Sequence, residues 1–227
     1  MATAALARDD VDFLSLLSAA NRRRVLERST RAVYSAGTIA FRPGDPLRAY
    51  LVERGLLRIF MSIPDGRQAT VAFIHASELA GGVTIMTRPP SVFAQVVVES
   101  ILTTLEVETV RRVVARENQV SRAVATHLAT QVRDAFRLIA VRSLGSIRER
   151  LAYDLLERAC QCQLQSGQLE AEATQADLAA SIGSSREVVS RAIKGFRATG
   201  IIKTRPGVVR VIDAVRLAQT VRAFVAA

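Results

Sequence analysis

The side chains best suited to specific polar contacts are concentrated around residue 190. Within residues 186–198, polar and basic side chains recur at helical spacing, while Val188 or Val189, Ala192, Ile193 and Phe196 fall on the other side. Arginine can donate two hydrogen bonds to guanine, and glutamate can accept one from cytosine. Residues 186–210 contain seven basic residues and one acid, a local charge of +6. A polyanion is therefore the predicted partner of the surface formed by Arg186, Glu187, Ser190, Arg191 and Lys194.

Two short helices joined by a tight turn are predicted to carry these side chains. Thr174 opens the first helix with Asp177 in a capping-box arrangement, and Gly183 ends it. Ser184-Ser185 caps the second helix, Arg186 to Ala198, and residues 200–211 then predict two strands around a Pro-Gly turn. Helix pairs with a glycine turn are common and a charged helix face is often only solvated. The following β-hairpin, a wing, is what favours a nucleic-acid-binding helix-turn-helix.

Composition narrows the class of protein further. The chain has 227 residues and a net charge of +10, which favours nucleic acid as the partner and an acidic membrane second. No apolar run approaches the roughly 20 residues of a membrane span. The acidic N-terminus does not resemble a signal peptide, so a cytoplasmic location is expected.

Catalytic and metal chemistry find little support in the cysteines and histidines. The chain has two cysteines, Cys160 and Cys162, and two histidines, His75 and His127. They offer neither a metal-ligand spacing nor a nucleophile–base pair. We therefore expect a protein that is not an enzyme, and we predict no metal.

The elements that precede the basic segment are predicted to be short helices followed by a β-rich region. Residues 1–35 are predicted as short helices, with Asp10 or Asp12 as a cap. From Thr38 to Val107, short β-type runs alternate with turn signals, of which Asp65-Gly66 is the strongest for a hairpin. Many short strands at this spacing predict a sandwich or a barrel-like roll.

A long helix is predicted over residues 119–141, after a shorter one over 109–117. Twenty-three residues at 1.5 Å each span roughly 34 Å, which is more than a small domain usually needs. Pairing with a second copy would explain its apolar stripe, and so would packing on the chain's own β domain; periodicity does not decide between them. The predicted stripe consists of Val124, Leu128, Val132, Ala135 and Ile139. A hinge at 143–145, a helix over 147–163 and a loop or hairpin over 163–172 complete the connection.

The string TQADLAASIGSSREVVSRAIKGFRATGIIKTRPGVVRV resembles the winged helix-turn-helix of the cyclic AMP receptor protein and fumarate-nitrate regulator (Crp/Fnr) family of bacterial transcription regulators. The β region, with its PGD turn, Tyr-Leu-Val strand and Glu78 to Gly82 stretch, is similar to that family's sensor domain. The resemblance implies an α+β fold. It comprises a cyclic-nucleotide-binding-like β-roll (jelly roll) over residues 1–118, a dimerisation helix over 119–142 and a winged helix-turn-helix over 143–227.

The partners and contact residues implied by the resemblance follow from this architecture. A homodimer would bind double-stranded DNA at a pseudo-palindromic site and contact RNA polymerase, with no membrane partner. Arg186 and Glu187 would read a G·C pair, and Arg191 would contact a second base or a phosphate. The full set of implied DNA-binding residues is Thr174, Gln175, Ser185, Arg186, Glu187, Ser190, Arg191, Lys194, Lys203 and Arg205.

The sensor pocket departs from the cyclic-nucleotide pattern of the family. Gly82 stands where a ribose-binding Glu is expected, and Val92-Phe93 stand where the phosphate-binding Arg-Ser pair is expected. A cyclic phosphate there would be buried without a cation, which costs several kcal/mol, so cyclic AMP is disfavoured as the effector. A small-molecule effector of another kind stays open. The candidate pocket residues are Gly81, Gly82, Arg88, Ser91 and Phe136.

Two other sensor chemistries can be weighed from the same residues. Haem needs an axial ligand such as His75 or His127, although a core or solvent role is the simpler interpretation of each. An iron–sulfur cluster would need several cysteines near the N-terminus, and the sequence has none there. The alternative function is a small-molecule or haem sensor whose output is protein contact rather than DNA binding. No cofactor is predicted.

Overall fold

The computed structural model describes residues 12–64, 68–88 and 90–222. It opens with a 3-10 turn over Phe13–Leu16, followed by helix α1 over Ala19–Val25. The Asp12 carboxylate caps the turn by accepting hydrogen bonds from the next backbone N–H groups, as predicted; Asp10, the other candidate, lies outside the described residues. Thr30–Tyr34, predicted as helix, is instead strand β1. Long-range pairing with a strand about 70 residues later overrides the local preference there.

The sensor domain is built on an antiparallel sheet of six strands. Two long strands dominate it, and bulges between Val52 and Leu57 bend them so that the sheet rolls around its core. The predicted runs at 50–52 and 56–61 therefore form one strand rather than two. Asp65 and Gly66 lie outside the described residues, but the strands on either side pair as in a hairpin. The further elements are β2 (Ile39–Phe41), β3 (Arg48–Ser62), β4 (Gln68–His75), β5 (Leu79–Ala80), α2 (Gly82–Met86) and β6 (Phe93–Glu106).

Three helices lead from the sheet to the C-terminal domain. Ser146 caps the third helix in a capping box with Glu149. That helix runs to Ser166, three residues beyond its predicted end, and the predicted loop that follows contains a short strand. The elements are α3 (Val107–Arg116), α4 (Asn118–Leu144), α5 (Ile147–Ser166), β7 (Glu170–Glu172), α6 (Gln175–Ser181), α7 (Arg186–Ala198), β8 (Ile202–Arg205), β9 (Val208–Val211) and α8 (Ala214–Arg222).

Helix α4 carries two apolar stripes, and the sequence prediction merged them. Val124 is fully buried in the sensor core, so its assignment to a seam between copies is wrong. Leu128 and Ala135 are half-buried and face the sensor domain, so they do not belong to an exposed seam either. Val132 and Ile139 are exposed, as a seam requires. The exposed stripe consists of Ala125, Ala129, Val132, Phe136 and Ile139, with the four-three spacing of a coiled-coil seam.

The sensor sheet and the C-terminal domain are joined by a buried polar cluster, which we call the Arg58 cluster: Arg58, Gln68, Thr70, Gln95 and Glu157. The Arg58 side chain is 0% exposed and ion-pairs with Glu157 of α5. Its remaining donors reach Thr70 Oγ1 at 2.7 Å, Gln68 Oε1 at 3.0 Å and Gln95 Oε1 at 3.2 Å. Apolar packing surrounds the cluster, because Leu56 and Val97 of the sheet share one core with α5. The orientation of α5 relative to the sheet is thereby fixed.

Across the described part of the chain, no helix combines the length and apolar character needed to cross a bilayer.

Candidate nucleic-acid interface and sensor cavity

Helix α7 is held by its apolar side against the C-terminal core. Val189, Ile193 and Phe196 are buried, and the Arg148 guanidinium of α5 lies 4.3 Å from the centre of the Phe196 ring. Gly183 in the turn between α6 and α7 has a φ of +63°, a conformation that glycine adopts without strain. The helix bounds agree with the sequence prediction, because α7 begins at Arg186 and ends at Ala198.

Side-chain caps fix the N-termini of both helices. The Thr174 hydroxyl accepts a hydrogen bond from the Asp177 N–H, and the Asp177 carboxylate accepts from the Thr174 N–H at 2.8 Å, which confirms the predicted capping box. The hydrogen bonds that the Thr174 hydroxyl and the Thr174 N–H donate to the Asp177 carboxylate lower the pKa of Asp177 below its usual range. Ser185 caps α7 by accepting from the Val188 N–H. Gln175, the first residue of α6, is exposed beside these caps.

The outward side of α7 presents a continuous polar and basic surface. Arg186, Glu187, Arg191 and Lys194 are exposed, and Ser190 is half-buried between them. Hydrogen bonds from the backbone N–H of Glu187 and from the Ser185 hydroxyl, with the charges of Arg186 and Arg191, lower the pKa of Glu187. The carboxylate is therefore ionised at neutral pH and acts only as a hydrogen-bond acceptor.

The wing formed by β8 and β9 carries less free charge than its sequence suggests. Glu170 of β7, only 8% exposed, accepts hydrogen bonds from Arg205 and from Arg210, each at 2.8 Å. Arg205 is exposed but partly neutralised by this shared carboxylate, whereas no ion pair joins Lys203 to an acid within the described ranges. Sequence reasoning missed Glu170, since the segment 163–172 gave no sign of the strand pairing that brings it beside the wing.

A cavity of about 290 Å³ lies between the sensor sheet and α4. Gly81 and Gly82 line it as predicted, but Arg88, Ser91 and Phe136 do not. The assignment of Phe136 to the pocket is wrong, because its ring is 66% exposed on the outer stripe of α4. Arg88 and Ser91 are likewise exposed and lie on a loop outside the cavity wall.

The positions where the family pattern expects phosphate ligands have other roles. Val92 lines the cavity, and Phe93 stacks on Phe60 with ring centres 5.1 Å apart. At Gly82, a Cβ atom would lie 3.2 Å from Leu128 Cδ2, so α4 packs almost directly on the backbone and leaves little room for a side chain. Arg48 and Tyr50, which sequence reasoning did not single out, line the cavity instead.

The two histidines belong to the packing of the sensor domain. His127 is buried, with Nε2 at 2.7 Å from the Leu79 carbonyl oxygen and its ring edge-on to Phe13. His75 is also buried, and its backbone N–H donates to Glu78. Neither imidazole lines the sensor cavity. Over the residues that the structure describes, no group of three or more His, Cys, Asp or Glu side chains is placed to hold a metal ion.

Comparison with known proteins agrees with this arrangement. Residues 31–117 match the cyclic nucleotide-binding domain family, and residues 149–220 match the Crp-like helix-turn-helix domain family. A cyclic AMP receptor protein of Thermus thermophilus is 31% identical over 82% of this chain and 86% of its own length. The chain belongs to the Crp/Fnr family. It is a transcription regulator with a helix-turn-helix DNA-binding domain and not an enzyme, as its sequence predicted.

Further Crp/Fnr relatives support the same fold. A CRP-like cAMP-activated global transcriptional regulator of Mycobacterium tuberculosis is 27% identical over 79% of this chain and 81% of its own. The structure of a protein assigned to the family from Eubacterium rectale superposes with a TM-score of 0.59 at 23% identity, covering 93% of this chain and 98% of that one. The c-di-GMP responsive regulator CLP of Xanthomonas campestris gives a TM-score of 0.54 at 20% identity, covering 86% and 99%. The predicted α+β fold is confirmed.

Proposed function

We propose that this Crp/Fnr regulator binds a pseudo-palindromic DNA site as a homodimer, with α7 of each copy in the major groove. The observation that carries the proposal is the exposed surface of Arg186, Glu187, Arg191 and Lys194 beside a basic wing. The N-terminal turn of a recognition helix points at base edges, where Arg186 can donate two hydrogen bonds to a guanine and Glu187 can accept from a cytosine.

Contacts to the DNA backbone would surround this base-reading turn. We expect hydroxyl, amide and N–H groups of four residues to contact phosphates: Thr174, Gln175, Ser185 and Ser190. Lys203 supplies the wing's unneutralised charge. Because Glu170 already binds Arg205, we expect Arg205 to contribute less than Lys203 to DNA affinity.

The exposed stripe of α4 supports dimerisation through this helix. Val132, Phe136 and Ile139 are each more than half exposed, an unusual state for large apolar side chains. Their spacing matches the seam of a two-stranded coiled coil, in which the second copy would bury them. A twofold axis along this seam would present the two α7 helices to half-sites about one helical turn apart, roughly 34 Å.

Base reading can be tested by mobility shift with DNA selected from a random pool by the wild-type protein. Arg186→Ala should weaken binding to the selected site about 5- to 150-fold, the equivalent of a bidentate contact, and relax the preference at one base pair. Lys203→Ala should weaken binding to all sequences alike. Arg116→Ala, an exposed arginine on α3, is the matched control and should change neither. If Arg186→Ala changed binding by the same factor for every DNA sequence, base reading by α7 would be excluded.

Salt dependence separates DNA binding from an output through protein contact. Phosphate contacts require the logarithm of affinity to fall linearly with the logarithm of salt concentration, and loss of Lys203 should reduce the slope by about 0.9 per copy. An affinity that does not change with salt concentration would instead favour the alternative function, a sensor whose output is contact with a protein.

The dimer seam can be tested by sedimentation equilibrium. Phe136→Glu places a charge on the exposed stripe and should convert dimer to monomer, since two such charges would face each other in the seam. Met61→Glu, which also replaces an exposed apolar side chain but lies off α4, is the control and should leave the dimer intact. A dimer that survives Phe136→Glu would place the interface elsewhere.

A further inference from the structure

We propose that the sensor cavity binds a small apolar molecule carrying one acidic group, such as a medium-chain carboxylic acid, in place of a cyclic nucleotide. This inference names the effector class of the regulator proposed above. It depends on that proposal only for the effect of the ligand on DNA binding.

The walls of the cavity are predominantly apolar. They include Phe41, Ile59, Val71, Ile74, Val92 and Leu128, contributed by the sheet, the loop before β6 and α4. A volume of about 290 Å³ is at the lower end of ligand pockets, so a molecule of modest size would fill it. Burying a hydrocarbon chain against such walls is favourable for each methylene removed from water.

One end of the cavity is polar and positively charged. Arg48 is the only charged side chain that lines it within the described residues, and Arg48 is itself exposed, so its charge lies where the cavity meets solvent. Tyr50, which also lines the cavity, donates its hydroxyl hydrogen to the Ala40 carbonyl oxygen at 2.6 Å. No carboxylate pairs with Arg48 in the described part of the chain. A guanidinium at the mouth of the cavity can donate charge-assisted hydrogen bonds to one acidic headgroup.

A cyclic nucleotide fits these walls poorly. Its phosphate, ribose hydroxyls and base all need polar partners, and each polar group buried without one costs free energy. Beside Arg48, the polar side chains at the cavity are few, and Gln131 already donates to the Leu79 carbonyl oxygen at 3.1 Å. The close packing of Leu128 on Gly82 also fills the place of the expected ribose-binding carboxylate.

The cavity adjoins the helix that carries the exposed stripe. Leu128, Val132 and Ala135 of α4 line it, and Val132 also belongs to that stripe. A ligand that packs against these residues makes contacts that depend on the position of α4, and it therefore favours one position of the helix over others. Occupancy would in this way alter DNA affinity in the proposed dimer.

Calorimetric titration of the full chain with straight-chain carboxylates of six, eight, ten and twelve carbons tests the binding. Affinity should rise about fourfold per methylene until the chain outgrows the cavity, and it should exceed that for the matching alcohol. Ala94→Leu, which fills the wall from β6, should weaken binding at least tenfold. Arg48→Gln should abolish the preference for acid over alcohol, whereas Arg54→Gln, an exposed arginine on the same strand, should not.

Mobility shifts on the same samples keep the two proposals separate. Absence of carboxylate binding, tighter binding of cyclic AMP, or binding insensitive to both chain length and Ala94→Leu would overturn the cavity proposal. DNA binding that persists in those samples would leave the proposed function intact. Carboxylate binding by a protein that fails to bind DNA would support the cavity proposal and refute the proposed function.

Discussion

Replacing Glu157 by Gln should loosen the packing of the DNA-binding domain on the sensor sheet. Glu157 is the anionic partner of Arg58, whose side chain has no solvent exposure. The substitution keeps the shape of the side chain and one acceptor oxygen, but it leaves the guanidinium charge buried with only neutral partners. Breaking a buried ion pair on one side typically costs about 3 to 5 kcal/mol. Because Thr70, Gln68 and Gln95 still accept from Arg58, we expect the lower value, about 3 kcal/mol.

Urea unfolding followed by circular dichroism measures the total loss of stability, and the thiol of Cys160 reports the domain junction itself. Cys160 is fully buried, and its carbonyl oxygen accepts a hydrogen bond from Gln95 at 2.9 Å. Burial raises the pKa of its thiol to about 12, so labelling requires the junction to open. Cys162→Ser removes the other thiol. In that background, Glu157→Gln should increase the rate at which Cys160 is labelled about 150-fold, which corresponds to a free-energy change of about 3 kcal/mol.

Two controls separate the buried pair from general effects of charge. Glu108→Gln removes the partner of Arg111 at an exposed site, and it should cost less than about 1 kcal/mol. The double substitution Arg58→Met and Glu157→Met replaces the pair by apolar side chains, and it should recover much of the lost stability. A loss below about 1 kcal/mol for Glu157→Gln, with unchanged labelling of Cys160, would refute the assignment of this pair as the clamp between the domains.

Backbone geometry and acid titration give two further tests. Gly55 has a φ of +111°, and a Cβ there would lie 2.0 Å from Ser100 Oγ, so Gly55→Ala should cost about 3 kcal/mol or more in urea unfolding. Gly44→Ala, with a φ of +92° and open space around it, should cost only about 1 kcal/mol; equal losses would contradict the clash. Hydrogen bonds from Thr109 lower the pKa of Glu106 below its ordinary 4.5. The contribution of Glu106 to stability is therefore complete above pH 4.5, and it is lost as the pH falls through the lowered pKa of the folded protein. The melting temperature should therefore drop in acid, and it should drop less in Glu106→Gln. An identical drop in both proteins would exclude this carboxylate.

The C-terminal surface that we propose to bind DNA was the part most open to prediction from sequence. The bounds of α7, the capping box at Thr174 and the cap at Ser185 depend on hydrogen bonds between residues at most four positions apart. Such local interactions can be predicted directly from the residue types and their spacing. The strands and turn signals predicted a sandwich or barrel-like roll. The resemblance to the Crp/Fnr family implied a cyclic-nucleotide-binding-like sensor domain, which the family match to residues 31–117 confirms.

Contacts between distant segments decided the rest. Arg58 and Glu157 are 99 residues apart, and no local pattern predicts that they pair. On α4, Val124 and Ala125 are adjacent and apolar, so the sequence shows a seam but not which of two neighbouring stripes faces the sheet. Packing of α4 on the sensor core resolves this, because it buries Val124 and leaves Phe136 exposed. The sequence by itself determined the bounds of α7, the caps of α6 and α7 and the basic surface, because these depend on near neighbours. Only the tertiary structure decided which apolar faces and charges are buried, because burial depends on segments far apart in the chain.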